Sequence, residues 1–376
     1  MKIKNFKFSN NEQNWHIEQV DFNALNLLVG ASGVGKTRIL RALDLICDVA
    51  KDRNRILNNL EWNISFSHLG KDYKWELKTS PADSIEDILD ESEQSAEIIH
   101  ERLIRYDDES EVEIFYRTPS DSRLNNDKLP KLKRTESAIT LLAEEDTIVP
   151  VRQAFKRFIF NEIPQTIMIR AEFNLQNAKL KTNSIEQELQ KFKEEIGDSA
   201  TILKGFFLQN FFPDTFDEVK EYYTEIFPSV KDIRIGIDED HRLFFEIKEN
   251  DVEGWIPQNN ISSGMMRTLT CLIEIIVAPE ESAIAIDEFE NSLGINCMPE
   301  LTDFILERSP EVQFILTSHH PYIINNIPWE TWQIVSRKGS RIKVTKATDI
   351  PQLDTASSLD KFTQLVNVLE CEDIST

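Results

Sequence analysis

Glycines at 30, 33 and 35 stand just before a lysine and a threonine in Gly30-Ala31-Ser32-Gly33-Val34-Gly35-Lys36-Thr37, a complete G-x-x-x-x-G-K-T. Glycines let successive backbone N–H groups curl around an anion, and a helix that follows turns its N-terminus toward that anion. Lys36 is placed to reach the β- and γ-phosphates of a nucleotide, and the Thr37 hydroxyl to ligate Mg²⁺. Gly30, Ser32, Gly33, Gly35, Lys36 and Thr37 are therefore candidate nucleotide-binding residues. The pattern needs a strand before it and an amphipathic helix after it. Ala24–Val29 is a short apolar run, and Arg38–Val49 sets Ile39, Leu40, Leu43 and Ile46 at helical spacing.

A second constellation is Ala283-Ile284-Ala285-Ile286-Asp287-Glu288, an apolar strand ending in two acids. In an open α/β sheet ligands lie outside the carboxyl ends of the strands. Asp287 then suits the Mg²⁺ shell, and Glu288 suits the group that orients an attacking water. Ile261-Ser262-Ser263-Gly264 opens a helix, where a serine oxygen serves as an N-cap and the free N–H groups can also meet a phosphate. Phe314-Ile315-Leu316-Thr317-Ser318-His319-His320-Pro321 is another apolar strand ending in polar groups. His319, in preference to His320, is the candidate for contact with the γ-phosphate or the water. Pro321 is expected to break that strand.

The elements that must position these groups can be read around them. Strand patterns cover Lys2–Phe8, Trp15–Val20, Glu61–Ser67, Tyr73–Lys78 and Val112–Arg117. Ser84–Arg102 is acidic and compatible with a helix, and Asp121–Lys133 reads as a polar loop. Residues 147–228 are predominantly helical in pattern, with an amphipathic Lys181–Ile196. An aromatic cluster runs from Phe206 to Phe227 and suits core packing or a docking surface. Ile233–Ile237 and Leu243–Ile247 form a hairpin pattern, and helix and strand then alternate from Met266 to Thr317, as parallel βα units do.

The chain has 376 residues and a formal net charge of −23, which opposes coating of nucleic acid through the whole surface. Two local basic strips remain, Lys128–Arg134 and Arg337–Lys346; the plain interpretation is a solvated loop and a solvated strand edge. No apolar run reaches bilayer length, and the basic start lacks an apolar signal core. The four cysteines show neither disulfide nor metal spacing, so a cytoplasmic setting is expected.

Taken in order, the glycine loop, Ser-Ser-Gly, Ile-Asp-Glu-Phe-Glu-Asn-Ser-Leu and Thr-Ser-His-His-Pro-Tyr resemble the bacterial ABC-type ATPases of the SMC, RecF and OLD group. The likeness extends to small AAA-family ATPases found in phage-defence loci. It covers roughly residues 1–67 and 233–327. The resemblance implies an α/β ABC-ATPase head, with a P-loop parallel sheet core, an antiparallel β lobe and a helical insertion. The boundaries implied are residues 1–146 and 229–376 for the head and 147–228 for the insertion.

The resemblance also implies that Ser262, Ser263 and Gly264 form a signature loop capping the ATP held by a second copy. Asn291, Ser292 and Leu293 match the D-loop, and His319 matches the switch histidine. Met265 stands where Gln or Glu is common, and Phe289 where Pro is common after Asp-Glu. No Q-loop glutamine can be assigned. ATP and Mg²⁺ are the implied cofactors, with Mg-dependent ATP hydrolysis catalysed by Glu288 and His319. The partner implied is a second head, in a homodimer or higher homo-oligomer, with a separate effector nuclease. DNA binding stays open, and no membrane is involved. The alternatives are a RecF-like repair ATPase, or a transporter nucleotide-binding subunit.

Overall fold

The computed structural model describes residues 1–53, 55–81, 96–107, 110–161, 169–170, 185–197, 199–294, 297–354, 357, 361–367 and 369. Along the chain come β1 (Lys2–Asn10), β2 (Trp15–Asp21), β3 (Leu25–Val29) and α1 (Lys36–Ala50). A meander follows of β4 (Leu60–His68), β5 (Lys71–Thr79), β6 (Ile98–Asp107) and β7 (Ser110–Arg117), with the short β8 (Ser122–Leu124) and β9 (Asp127–Lys128). Next are α2 (Ala138–Leu141), α3 (Val149–Lys156), β10 (Phe158–Asn161) and β11 (Ile169–Arg170). The middle holds α4 (Ile185–Ile196), α5 (Thr201–Phe211), α6 (Pro213–Ile226), β12 (Val230–Ile237), β13 (Arg242–Glu249), β14 (Ile256–Pro257) and α7 (Ser263–Val277). The last elements are β15 (Ala283–Ile286), α8 (Met298–Arg308), β16 (Gln313–Thr317), α9 (Pro321–Asn326), β17 (Trp332–Lys338) and β18 (Arg341–Lys346).

Two compact units emerge: Met1–Phe160 with Glu281–Glu288 and Ser309–Thr376, and Asn161–Glu280 with Phe289–Arg308. The first unit is built on a 14-stranded sheet in the order β10-β15-β16-β3-β17-β18-β2-β1-β4-β5-β6-β7-β8-β9. β15, β16, β3 and β17 run parallel. β3, β15 and β16 are buried at every residue, which is why they read as unbroken apolar runs. β4 and β5 alternate buried and more open positions, the signature of a sheet wet on one face. Phe66, Trp75 and Phe155 meet on the dry face, with ring centroids 4.9 Å and 5.3 Å from Phe155. Truncating a ring so placed costs about 3–5 kcal/mol.

The second unit packs α5, α6 and α7 with the sheet β11-β13-β12, to which β14 is added. Phe206, Phe212, Phe216, Tyr223 and Phe227 are buried, so most of the aromatic cluster is core. A buried ion pair ties α5 to α7: Lys204 Nζ donates to Glu274 Oε2 at 2.6 Å, and the Thr201 hydroxyl donates to Glu274 Oε1.

Several sequence expectations change. The acidic stretch at 84–102, compatible with a helix in sequence, ends in β6, and residues 84–95 lie outside the described residues. Glu101 pairs across strands with Arg117 at 2.6 Å, both almost completely buried. A charge pair satisfied inside the lobe reads as solvated from sequence, which hides the strand. The polar loop at 121–133 carries the small β8–β9 hairpin. The helical stretch at 147–228 contains β10 and β11, and Lys181–Ser184 lies outside the described residues. Arg341 and its neighbours are not on an edge, because β18 lies between β17 and β2. Pro321 opens α9 and does not simply end a strand.

Candidate functional site

Register fixes one edge of the parallel sheet as the meeting point of the chemistry. Thr317 pairs with Leu28 between β16 and β3, and Ile286 pairs with Leu316 between β15 and β16. The glycine loop after β3, Asp287-Glu288 after β15 and Thr317–His320 at the end of β16 therefore leave the sheet on the same side. All lie in the first unit.

The loop itself is held by strands that the sequence did not connect with it. A Cβ on Gly30 would lie 2.4 Å from the Val335 carbonyl oxygen, and one on Gly35 would lie 2.4 Å from Ile342 Cδ1. Gly33 and Gly35 also adopt φ of 82° and 111°, which glycine alone takes readily. Lys36 is the first residue of α1 and is buried; its Nζ donates to Gly30 O at 2.8 Å and Ala31 O at 3.0 Å. The α1 N-terminus has no side-chain cap and no acid in its first turn. Such an end carries about half a positive charge. Gly30, Ser32, Gly33, Gly35, Lys36 and Thr37 thus fit a polyphosphate.

A hard divalent cation fits the other side of the site. Mg²⁺ is usually held by one or two protein oxygens together with phosphates and water. The half-buried Thr37 and Asp287 supply a hydroxyl and a carboxylate of that kind. Among the described residues no group of three or more His, Cys, Asp or Glu could hold a metal by itself. The Thr317 hydroxyl donates to Asp287 Oδ1 at 2.7 Å and accepts the Glu288 N–H at 2.7 Å. Glu288 is exposed and sits in the left-handed region, φ 45°. Of the two histidines, His320 caps α9 by accepting the Tyr322 N–H on Nδ1 at 3.2 Å. His319 is exposed.

Ser262, Ser263 and Gly264, the residues expected to form a signature loop, lie in the second unit. Ser262 is the N-cap of α7 and accepts the Met265 N–H at 3.3 Å; Ser263 is exposed in the first turn. Ser292, φ 64°, brings its carbonyl oxygen within 2.6 Å of where a Gly264 Cβ would be. Ser-Ser-Gly and Asn291–Leu293 are thus neighbours in one unit, while Glu288 and Lys36 belong to the other.

Sequence reasoning also missed a groove of about 500 Å³ beside α1, lined by Phe8, Trp15, Arg38, Arg41, Leu45 and Asn58 among others. The Arg38 guanidinium lies 5.5 Å from the Trp15 ring centroid. These residues are scattered in sequence, and only the proximity of Arg38 to Thr37 could have pointed to them.

A glycine loop, an acid pair and a polar strand end on one edge of a parallel core, joined to an antiparallel lobe, define an ABC-type ATPase head. The chain belongs to the family described as "AAA domain, putative AbiEii toxin, Type IV TA system", whose model matches residues 25–325. It is a nucleotide-binding ATPase by that membership. No curated protein matches it in sequence. Among solved structures, an Smc head bound to the C-winged helix domain of ScpA shares 15% identity, covering 92% of this chain and 98% of that one, TM-score 0.44. An Smc head domain with an extended coiled coil, bound to the C-terminal domain of ScpA derived from Pyrococcus furiosus, gives 14%, coverage of 98% and 99%, and TM-score 0.45. The SMC head domain from Thermotoga maritima gives 11%, coverage of 92% and 99%, and TM-score 0.40. Among the described residues no helix is long and apolar enough to cross a membrane.

Proposed function

We propose that this chain binds ATP with Mg²⁺, pairs head to head with a second copy, and hydrolyses the nucleotide slowly to switch a separate effector. The effector is a nuclease in a cytoplasmic phage-defence system. Residues 1–146 and 229–376 make the head in this reading, and 147–228 the insertion. The observation that carries it is the convergence of Lys36, Asp287, Glu288 and His319 at one sheet edge.

The division of labour follows from chemistry. The loop N–H groups and Lys36 bind the β- and γ-phosphates and draw off their developing charge. Thr37 and Asp287 would hold Mg²⁺, which would supply charge neutralisation to the phosphates. Glu288 orients a water for in-line attack and takes its proton, and His319 contacts the γ-phosphate. The groove at Trp15 and Arg38 offers the nucleotide base an aromatic face. Ser262, Ser263 and Gly264 of one copy cap the phosphates bound by the other, so hydrolysis waits on pairing.

The test is purification of the chain with the product of its neighbouring gene, and measurement of solution mass with and without ATP–Mg²⁺. Mass that doubles with ATP, with a nuclease bound, is the expected result. Mass indifferent to ATP would remove the pairing, and a partner of another kind would remove the nuclease.

A further inference from the structure

We propose that Thr317 is the positioning residue of the site, holding both acids at once without touching the nucleotide. This rests on the roles proposed above for Asp287 and Glu288. The Thr317 side chain is buried, 1% exposed, and its hydroxyl is used twice. It donates to Asp287 Oδ1 and accepts the Glu288 N–H, each at 2.7 Å. A hydroxyl has one proton to give and lone pairs to receive, so one side chain fixes the Asp287 carboxylate and the backbone from which Glu288 projects. Valine would fill the same space and do neither.

The backbone supplies a second observation. Glu288 stands at φ 45°, a region that a residue other than glycine keeps only where its surroundings enforce it. The bond from its N–H to Thr317 is such an enforcement. The placement supplies a third. Thr317 ends β16 two residues before His319, and the β15–β16 register sets it beside Asp287. Any adjustment at the end of β16 therefore reaches the histidine, the metal-side carboxylate and the water-side carboxylate together. Thr317 links recognition of the γ-phosphate to the alignment of both acids.

The experiment compares wild type with Thr317→Val and Thr317→Ser. ATP affinity is measured by calorimetry in EDTA and again in Mg²⁺, turnover at saturating ATP, and the melting midpoint without nucleotide. Loss of an outer partner of a metal site costs about 10–100-fold in metal affinity or activity. Thr317→Val should keep its affinity in EDTA, lose roughly tenfold or more of the affinity gained on adding Mg²⁺, and lose about 10–100-fold in kcat. Thr317→Ser, which keeps the hydroxyl, should restore both. Wild-type Mg²⁺ response and kcat in the valine variant would overturn the proposal. So would a serine variant as impaired as the valine one. A wild-type protein that never hydrolyses ATP would defeat the proposed function instead, and the Mg²⁺-dependent affinities would still decide Thr317. If the valine variant does not fold, Thr317→Ala, which also lacks a donor and an acceptor, takes its place with the same two outcomes.

Discussion

Gly264 and Ser292 meet so closely that a side chain at Gly264 has no room: its Cβ would lie 2.6 Å from the Ser292 carbonyl oxygen. The start of α7 and the turn after the acid pair are thereby fitted together. Alanine in place of a helical glycine ordinarily stabilises by up to about 1 kcal/mol. Here the obstacle is backbone, which cannot rotate away, and overpacking of this kind costs about 1–3 kcal/mol. The clash wins. Gly264→Ala should lower the unfolding midpoint in urea, with an unchanged slope. A midpoint raised above wild type would show that the two segments are not in contact.

Glu288→Gln should bind ATP as wild type does and turn it over about a hundredfold or more slowly, the scale of losing a general base. The amide keeps the shape and cannot take the proton. Calorimetry with ATP–Mg²⁺ and a phosphate-release assay separate the two effects. Wild-type turnover would move the role to another residue.

The candidate residues themselves were legible because they sit in short contiguous motifs. Gly30–Thr37, Asp287-Glu288 and His319 each follow an apolar run that ends in polar residues, and the sheet brings the three ends to one edge. What supports them was not legible. Ile342 crowds Gly35 and Val335 crowds Gly30 from strands more than three hundred residues away in sequence. No local pattern records such a contact. β6 was hidden because Glu101, a charged residue, is buried against Arg117. β18 was taken for an edge because its lysines and arginines mark the wet face, which says nothing about strands on either side.

His68 should make the stability of the first unit fall in mild acid. It is buried, neither ring nitrogen has a hydrogen-bond partner, and Glu281 Oε2 stands 3.8 Å from Nδ1. Burial above all, with nearby positive charge including Arg157, lowers its pKa from 6.5 to about 4, while Glu281 opposes the shift. Between those values the unfolded chain takes up a proton that the folded chain refuses. The stability from neutral His68 is thus complete above 6.5 and lost as pH falls toward 4. Melting midpoints across that window should fall more steeply for wild type than for His68→Phe. Parallel curves for the two proteins would exclude this histidine as the source.

The most direct measurement concerns completion of the site by a second copy. Ser263→Arg should leave ATP binding nearly intact and abolish hydrolysis, since Ser263 would serve the nucleotide of the other head. Lys36→Ala should abolish binding, because Lys36 is the cation inside the loop. Co-expression of the two variants with different tags allows purification of verified mixed pairs. Each mixed pair holds one complete site, with the wild-type loop from one chain and the wild-type Ser-Ser-Gly from the other. Head-to-head completion predicts that mixed pairs recover part of the wild-type ATPase rate while each variant alone stays inactive. Folded mixed pairs without activity would contradict it, and Ser262–Gly264 would then be no more than the cap of α7.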